Sequence, residues 1–157
     1  MIIYKAKMAK SYKGKYTIKK PKKYMGDPKN ITYRSLWERQ AFKWCEERDD
    51  VIGWSSEEVV VPYVCPTDKR AHRYFIDLKI KFSNGRTVLV EIKPKKQTIP
   101  PQKPQRQTKK YITEVMTYVK NEAKWKAASK YAKDRGYHFE IWTEDTLKQL
   151  GMKLLTG

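Results

Sequence analysis

The sequence has few cysteines, few histidines and few acidic residues. Cys45 and Cys65 are its only cysteines, no CxxC spacing occurs, and the two histidines form no cluster. Disulfide and zinc sites are therefore unsupported, and we expect both cysteines to be reduced core residues of an intracellular protein. No apolar run approaches the roughly 20 residues of a membrane-spanning helix and no signal-peptide pattern opens the sequence, so we expect no membrane partner.

Basic residues outnumber acidic ones two to one, and the excess lies in two segments. The chain has 35 Lys and Arg against 17 Asp and Glu, a net charge of +18. Residues 1–30 carry ten lysines and one acid, residues 94–133 carry eleven basic residues and two acids, and the remainder balances at fourteen of each sign. A neutral body with two basic segments is typical of a protein that grips a polyanion, and nucleic acid is the expected partner.

The length of 157 residues suits one domain with appendages. Residues 1–30 interleave lysine with tyrosine, lack helical periodicity and predict an extended basic arm, with a solvated tail as the alternative. Residues 31–157 are expected to form the folded domain. The arm contains four tyrosines that are candidates for stacking on nucleic-acid bases, namely Tyr4, Tyr12, Tyr16 and Tyr24.

The pattern of residues 31–157 predicts an α/β domain. A helix is expected within residues 31–50, and its spacing puts Glu38 on one stripe with Phe42 and Cys45, facing the body of the protein. Strands are predicted within residues 55–66, 73–82, 87–93 and 137–142. Two helices separated at Asn121 precede the last strand, and a short helix capped by Thr143 follows it. The helical crossover to the last strand predicts a mixed sheet of about four strands flanked by helices.

A hairpin between residues 73–82 and 87–93 can be tested by the alternation of side chains along strands. A two-residue turn at Asn84-Gly85 would pair each acid with an aliphatic residue. A three-residue loop, Ser83-Asn84-Gly85 with a left-handed glycine, gives a consistent apolar face and places Asp77 opposite Glu91. Lys93 then lies two residues along the same face as Glu91.

Two facing carboxylates repel unless a cation lies between them or a pKa is raised. Hard oxygen ligands with room for water and phosphate oxygens suit Mg²⁺ or Mn²⁺. The lysine could orient or deprotonate an attacking water molecule, and Glu38 is the natural third acid. The alternative is a cross-strand salt bridge of Lys93 on a solvated sheet face.

The same residues carry a resemblance. Ile76-Asp77, followed by Glu91-Ile92-Lys93 and preceded by a helix bearing Glu38, resembles the PD-(D/E)xK nuclease motif, although Ile76 stands where the motif name has proline. The stretches "YRSLWERQAFKWCEE", "GWSSEEVVVPY", "HRYFIDLKI", "LVEIKPKKQ" and "FEIWTED" are similar to the head-completion nucleases of T4-like tailed bacteriophages, relatives of TnsA-type transposon endonucleases. The similarity runs from about Tyr33 to the C-terminus.

The resemblance implies a restriction-endonuclease-like core and a metal-dependent DNA endonuclease that acts during phage head completion, with Mg²⁺ or Mn²⁺ as the cofactor. It implies catalytic positions at Glu38, Asp77, Glu91 and Lys93, with the three acids as metal ligands. Capsid or portal components would be partners, in the host cytoplasm during assembly or in the virion head. The expected DNA contacts are Arg73, Lys95, Lys96, Gln97, Lys103, Arg106, Lys109 and Lys110, together with Lys19, Lys20, Lys22 and Lys23 of the arm.

Two other functions are compatible with the charge pattern. A basic structural protein could close or tether DNA at a capsid opening with a degenerate nuclease fold. An endonuclease subunit of a transposase-type complex would retain the chemistry and require a second polypeptide. For Arg73, a salt bridge with Glu57 or Glu58 is the alternative to a phosphate contact.

Overall fold

A mixed four-stranded sheet forms the centre of the computed structural model, which describes residues 13–154. The strands are β1 (Gly14–Lys15), β2 (Thr32–Tyr33), β3 (Val51–Ser55), β4 (Val60–Val64), β5 (Ala71–Phe75), β6 (Leu78–Phe82), β7 (Thr87–Ile92) and β8 (His138–Trp142). The helices are α1 (Leu36–Glu47), α2 (Lys109–Asp134) and α3 (Glu144–Gln149). None of these helices is long and apolar enough to cross a membrane.

The main sheet has the order β3-β6-β7-β8, with β7 and β8 parallel and the other two pairs antiparallel. The α/β class and the mixed four-stranded sheet are as predicted. The strand β3 was not predicted, because its five residues follow α1 after only a short turn and show no simple alternation of polar and apolar side chains. β1 with β2 and β4 with β5 form two small additional sheets.

Helices cover both faces of the main sheet. On one face, Phe42 of α1 and Leu147 of α3 pack in a core with Leu78, Ile80 and other residues of β6 and β7. On the other face, Trp125 of α2 packs in a second core that includes Leu89 of β7 and Tyr74 of β5. The alternation of side chains along β7 is what divides these residues between two cores.

The β6–β7 hairpin has the predicted three-residue loop. Leu78 pairs with Val90 and Ile80 with Val88, and the amide of Phe82 donates to the carbonyl of Arg86. Gly85 has a φ of +88°, the left-handed conformation that the loop requires and that glycine adopts without strain. The register that brings residue 77 to the level of residue 91 is thereby confirmed.

The predicted strand 73–82 is in fact two strands belonging to different sheets. β5 pairs with β4, and Ile76 still donates to the carbonyl of Val59, but β6 pairs with β3 and β7. The chain changes partners between Ile76 and Leu78, so Asp77 lies at the switch. A continuous period-two pattern cannot reveal such a switch, since both strands satisfy it.

The two predicted helices around Asn121 are one helix of 26 residues, about 39 Å long. Asn121 is buried within α2 and does not cap a second helix. Thr108 caps the helix by accepting a hydrogen bond from the amide of Tyr111, and Gly136, with a φ of +74°, follows its C-terminal end. Thr143 caps α3 as predicted, in a reciprocal pair with Thr146.

The predicted arm is packed on the domain in its described part. Tyr16 and Tyr24 are buried and contact the ring of Trp54 edge-on, and Met25 donates to the carbonyl of Trp54. The prediction that these two tyrosines stack on bases is therefore wrong, because the core encloses them. Tyr4 and Tyr12 lie outside the described residues.

Candidate active site

Glu91 is a buried carboxylate with two partners. Its Oε2 accepts a 2.7 Å hydrogen bond from the hydroxyl group of Tyr74, and its Oε1 lies 3.3 Å from Nζ of Lys93. Only 6% of Glu91 is exposed, so the ion pair does not lie on the solvated sheet face of the alternative prediction. Lys93 follows β7, and its amide continues the parallel ladder by donating to the carbonyl of Trp142.

Asp77 faces Glu91 at the point where the chain changes sheets. Its Oδ2 accepts a 2.8 Å hydrogen bond from the amide of Ile92, which ties the carboxylate to β7. Burial, and then the negative charges of Glu91 and Glu38, raise the pKa of Asp77 well above its ordinary value. The structure therefore brings the three predicted acids and Lys93 into one cluster.

Glu38 enters this cluster from the first turn of α1. Ser35 caps the helix and accepts a hydrogen bond from the amide of Glu38, which fixes where that side chain leaves the helix. Burial raises the pKa of Glu38 to about 7, and the negative charge of Glu57 contributes to the rise. Arg34 limits this effect, because it pairs with Glu57 at 2.7 Å and is close enough to favour the charged form of Glu38.

The carboxylate cluster has the properties of a site for a hard divalent cation. Oε1 of Glu38 is buried and has no hydrogen-bond partner among the described residues. A cation held by these carboxylates would offset the repulsion that, after burial, raises the pKa of Asp77. Oxygen ligands of this kind suit hard divalent cations.

Tyr74 and Lys124 also belong to the cluster and were missed in the sequence. Nζ of Lys124, on α2, lies 5.5 Å from the centre of the Tyr74 ring. Burial lowers the pKa of Lys124, the charge of Glu91 opposes that effect, and the charges of Lys120 and Lys93 add to it. No local motif marks these residues, and on one unbroken strand Tyr74, three positions before Asp77, would lie on the opposite face from it.

Arg73 does not face the carboxylates. It neighbours Tyr74 on β5, so its side chain leaves the opposite face of the strand, where the guanidinium lies 5.6 Å from the centre of the Phe75 ring. Its predicted salt bridges are not made either: Glu57 pairs with Arg34, and Glu58 accepts a hydrogen bond from the amide of Asp27. The prediction placed Arg73 on the face of Asp77 because it assumed one unbroken strand.

The basic loop after β7 begins beside the cluster. Lys95 is held against α3, since its amide donates to Glu144 and its Nζ lies 3.2 Å from Asp145. The side chains of Lys96, Gln97, Lys103, Arg106, Lys109 and Lys110 are exposed. Lys109 and Lys110 occupy the first turn of α2, which contains no acidic residue.

The four lysines of the arm lie at the other end of α1 from Glu38. Amides of Lys19 and Lys20 donate to Oε1 of the buried Glu46, which leaves their side chains exposed. The ammonium group of Lys23 donates to backbone carbonyls of residues 45, 46 and 48 at the end of the helix. Lys23 therefore stabilises α1 and is not free to bind phosphate in this structure, whereas Lys22 is exposed.

Comparison with known proteins identifies the family of the chain. Residues 48–144 match the family described as TnsA-like endonuclease N terminal, a segment that contains Asp77, Glu91 and Lys93. The chain is also 46% identical over 147 residues to the head completion nuclease of Enterobacteria phage T4, an alignment that covers 91% of this chain and 98% of that protein.

Proposed function

The chain belongs to the TnsA-like endonuclease family, and we propose that it is a divalent-metal-dependent DNA endonuclease that acts in phage head completion. The convergence of Asp77, Glu91, Glu38 and Lys93 at the sheet switch is the observation that carries the proposal. The name of the phage T4 relative supports the assembly role, since the similarity spans nearly the whole of both proteins.

The three carboxylates would hold the metal, with Asp77 and Glu91 as the main ligands and Glu38 as the third. When bound, Mg²⁺ would polarise the scissile phosphate and lower the pKa of a coordinated water molecule. The proposed ligands are held by the fold itself. The amide of Ile92 orients Asp77, the hydroxyl of Tyr74 orients Glu91, and Ser35 sets the start of the helix that carries Glu38.

Lys93 would orient the attacking water molecule, because its Nζ lies 3.3 Å from Glu91 and its side chain is partly exposed to solvent. Lys124 would add a second positive charge on the side of α2. Two cations beside the phosphate would offset the negative charge that develops during in-line displacement. Neither lysine needs to move far, since both side chains are already partly buried at the cluster.

Exposed basic residues of the segment after β7 would hold the DNA backbone. This segment contributes Lys96, Lys103, Arg106, Lys109 and Lys110, while Lys19, Lys20 and Lys22 form a second basic surface near the end of α1. No recognised base-reading motif occurs in the sequence, so DNA shape and strand state would govern selectivity. Binding should therefore depend strongly on salt.

The test is cleavage of linear, circular and overhang-bearing DNA in Mg²⁺, Mn²⁺ or EDTA by the wild type, Asp77→Asn and Asp49→Asn. Asp49 is an exposed acid outside the cluster and serves as the matched control. We expect metal-dependent cutting that Asp77→Asn lowers by at least about 100-fold without loss of DNA binding. Equal activity of Asp77→Asn would refute the site.

DNA binding without cutting under every metal would favour a structural protein that closes or tethers DNA at the capsid. Cutting that appears only after a second polypeptide is added would favour a subunit of a transposase-type complex. Cutting by the wild type, and not DNA binding, distinguishes these outcomes, because Asp77→Asn should bind DNA equally well in each case.

A further inference from the structure

A second group of metal-ligand side chains lies at the far end of the β4–β5 hairpin from Asp77. Sγ of Cys65, a carboxylate oxygen of Asp68 and a ring nitrogen of His72 all lie within 4.8 Å of one another. In this hairpin Val60 pairs with Phe75 near the catalytic cluster, and Val64 pairs with Ala71 near the second group. Four residue steps separate the two ends, about 13 Å.

The loop from Cys65 to Arg70 places the sulfur beside a hydroxyl group. Sγ lies 3.0 Å from the hydroxyl oxygen of Thr67. The loop closes tightly, with the amide of Lys69 donating to the carbonyl of Cys65 and the amide of Cys65 to that of Arg70. The loop therefore fixes the position of the sulfur, whose thiolate is the form that binds metal.

The loop also contains local strain. Lys69 adopts a φ of +57°, a left-handed conformation that is unfavourable for a residue with a side chain. This conformation turns the chain so that residues 65 and 68 approach each other at the tip of the hairpin. The side chain of Lys69 and that of Arg70 are exposed, so water screens their charges from the group.

Asp68 and His72 are oriented before any metal arrives. Oδ1 of Asp68 accepts a 2.9 Å hydrogen bond from the amide of Arg70, while its Oδ2 lies 2.7 Å from Nε2 of His72. The ring of Tyr63 lies against the imidazole at 5.8 Å between centroids. Cys65 is only 1% exposed whereas Asp68 and His72 are partly open to solvent, so a fourth position would be accessible to water.

We propose that Cys65, Asp68 and His72 bind one Zn²⁺ ion, with a water molecule as the fourth ligand. Thiolate and imidazole favour zinc over the magnesium that the all-carboxylate site selects, so the two sites would take different metals. Binding releases the thiol proton of Cys65 to solvent. Zinc bonds of about 2.0–2.3 Å to each ligand would separate Asp68 from His72 slightly, a change that two partly exposed side chains can make by rotation.

Such an ion would tie the end of β4 to the start of β5. The hairpin belongs to a small two-stranded sheet, and two of its apolar side chains, Val64 and Phe75, are exposed. A two-stranded sheet is marginal by itself. The bound ion would therefore hold the far end of the hairpin, while at the near end Tyr74 contacts Glu91.

The experiment is metal binding by the full chain, purified with EDTA and then titrated with Co²⁺ and Zn²⁺. We expect the thiolate-to-cobalt charge-transfer absorption, its displacement by Zn²⁺, and one Zn²⁺ per chain by elemental analysis. Cys65→Ser should abolish the charge-transfer band and weaken zinc binding at least about 100-fold. The control Cys45→Ala removes a cysteine that is fully buried in the other core, and it should retain the band.

Circular dichroism must show that each variant is folded. If Cys65→Ser does not fold, His72→Ala, at a more exposed position, provides a second test. Zinc binding that survives both Cys65→Ser and His72→Ala, or the absence of the charge-transfer band in the wild type, would overturn the proposal. Asp77→Asn should bind zinc normally, which makes failure here distinguishable from failure of the nuclease site.

Discussion

The hydroxyl group of Tyr74 donates a 2.7 Å hydrogen bond to Oε2 of Glu91, and this contact joins two separate sheets. Tyr74 belongs to β5 and Glu91 to β7, and both side chains are buried. Burial, followed by the charge of Glu91, raises the pKa of Tyr74, so the phenol remains a donor at any physiological pH. The hydrogen bond holds Oε2 of Glu91, and Oε1 of the same carboxylate faces Nζ of Lys93.

Tyr74→Phe should lower kcat about tenfold with little change in DNA affinity, because Glu91 would lose the donor that orients it. The concentration of Mg²⁺ needed for half-maximal rate should rise. Tyr63→Phe is the control, since Tyr63 is a buried tyrosine of the neighbouring strand whose hydroxyl makes no hydrogen bond within residues 13–154. Metal titrations of steady-state cleavage measure both effects, and a Mg²⁺ requirement equal to that of the wild type would contradict an orienting role.

Lys124→Met should lower kcat about tenfold at saturating DNA, because it removes a half-buried cation from the side of the carboxylate cluster. Methionine preserves most of the apolar stem that packs on Tyr74. Lys126→Met, at an exposed position of the same helix, serves as the control and should change kcat less than twofold. If Lys124→Met and Lys126→Met lower kcat by the same factor, α2 contributes only general positive charge and Lys124 has no special role.

Glu38→Gln should stabilise the metal-free protein above pH 7. Because the pKa of Glu38 rises from 4.5 in the unfolded chain to about 7 in the folded one, the folded state binds the proton more tightly. The free energy of unfolding should therefore fall as pH rises from about 4.5 to 7, by about 3 kcal/mol from this group. Urea unfolding in EDTA at pH 5 and pH 8 measures the change, and Glu38→Gln should remove much of it.

Mg²⁺ should reverse this effect in the wild type at pH 8, since a cation bound only by the folded state adds to its stability. Glu38→Gln should gain less from Mg²⁺ than the wild type does. An equal gain in both proteins would indicate that Glu38 is not a ligand.

Replacing both Lys109 and Lys110 by alanine should weaken DNA binding to a similar extent for unrelated sequences. If both side chains contact phosphates, the slope of log affinity against log salt should become shallower by about 2. Lys148→Ala, on α3, is a control with an equally exposed lysine. Binding assays on two unrelated duplexes over a range of salt give the slopes, and an unchanged slope would place the DNA elsewhere.

Tyr16→Phe should destabilise the fold by about 1–3 kcal/mol without weakening DNA binding. The Tyr16 hydroxyl donates a 2.6 Å hydrogen bond to Oε2 of Glu46, a carboxylate that is only 3% exposed, so phenylalanine would leave a buried charge with one donor fewer. Denaturant unfolding and DNA titrations test the two halves separately. Reduced DNA affinity with unchanged stability would instead support the original view of this tyrosine as a base-stacking residue.

Local sequence was sufficient for the parts of the site that depend on short-range geometry. Glycine at position 85 permits the left-handed residue of a three-residue loop, and the alternation of apolar residues then sets the register of β6 against β7. That register places Asp77 level with Glu91 and puts Lys93 on the same face. The helical stripe of Glu38, Phe42 and Cys45 similarly predicted that Glu38 faces the body, where it is buried.

Other features depended on which elements pack together, so local patterns could not reveal them. One stretch of alternating residues is divided between two sheets, because β5 pairs with β4 whereas β6 pairs with β7. As a result Tyr74 lies beside Glu91, where the unbroken strand had predicted Arg73. No pair of cysteines marks the proposed zinc ligands in the sequence. Asp68 stands three residues after Cys65, and only the folded hairpin brings both residues to His72. Lys124 is remote in sequence from the other cluster residues, and only the packing of α2 brings it near.

The sequence by itself determined the α/β class, the hairpin register and the pairing of two acids with a lysine, because the conformational preference of glycine and the two-residue period of strands act over a few residues. Only the tertiary structure decided that residues 13–30 pack on the domain, that α2 continues through Asn121, and that Tyr74 and Lys124 join the acids. Burial against distant side chains settles such questions, and no local pattern encodes which distant side chains those are.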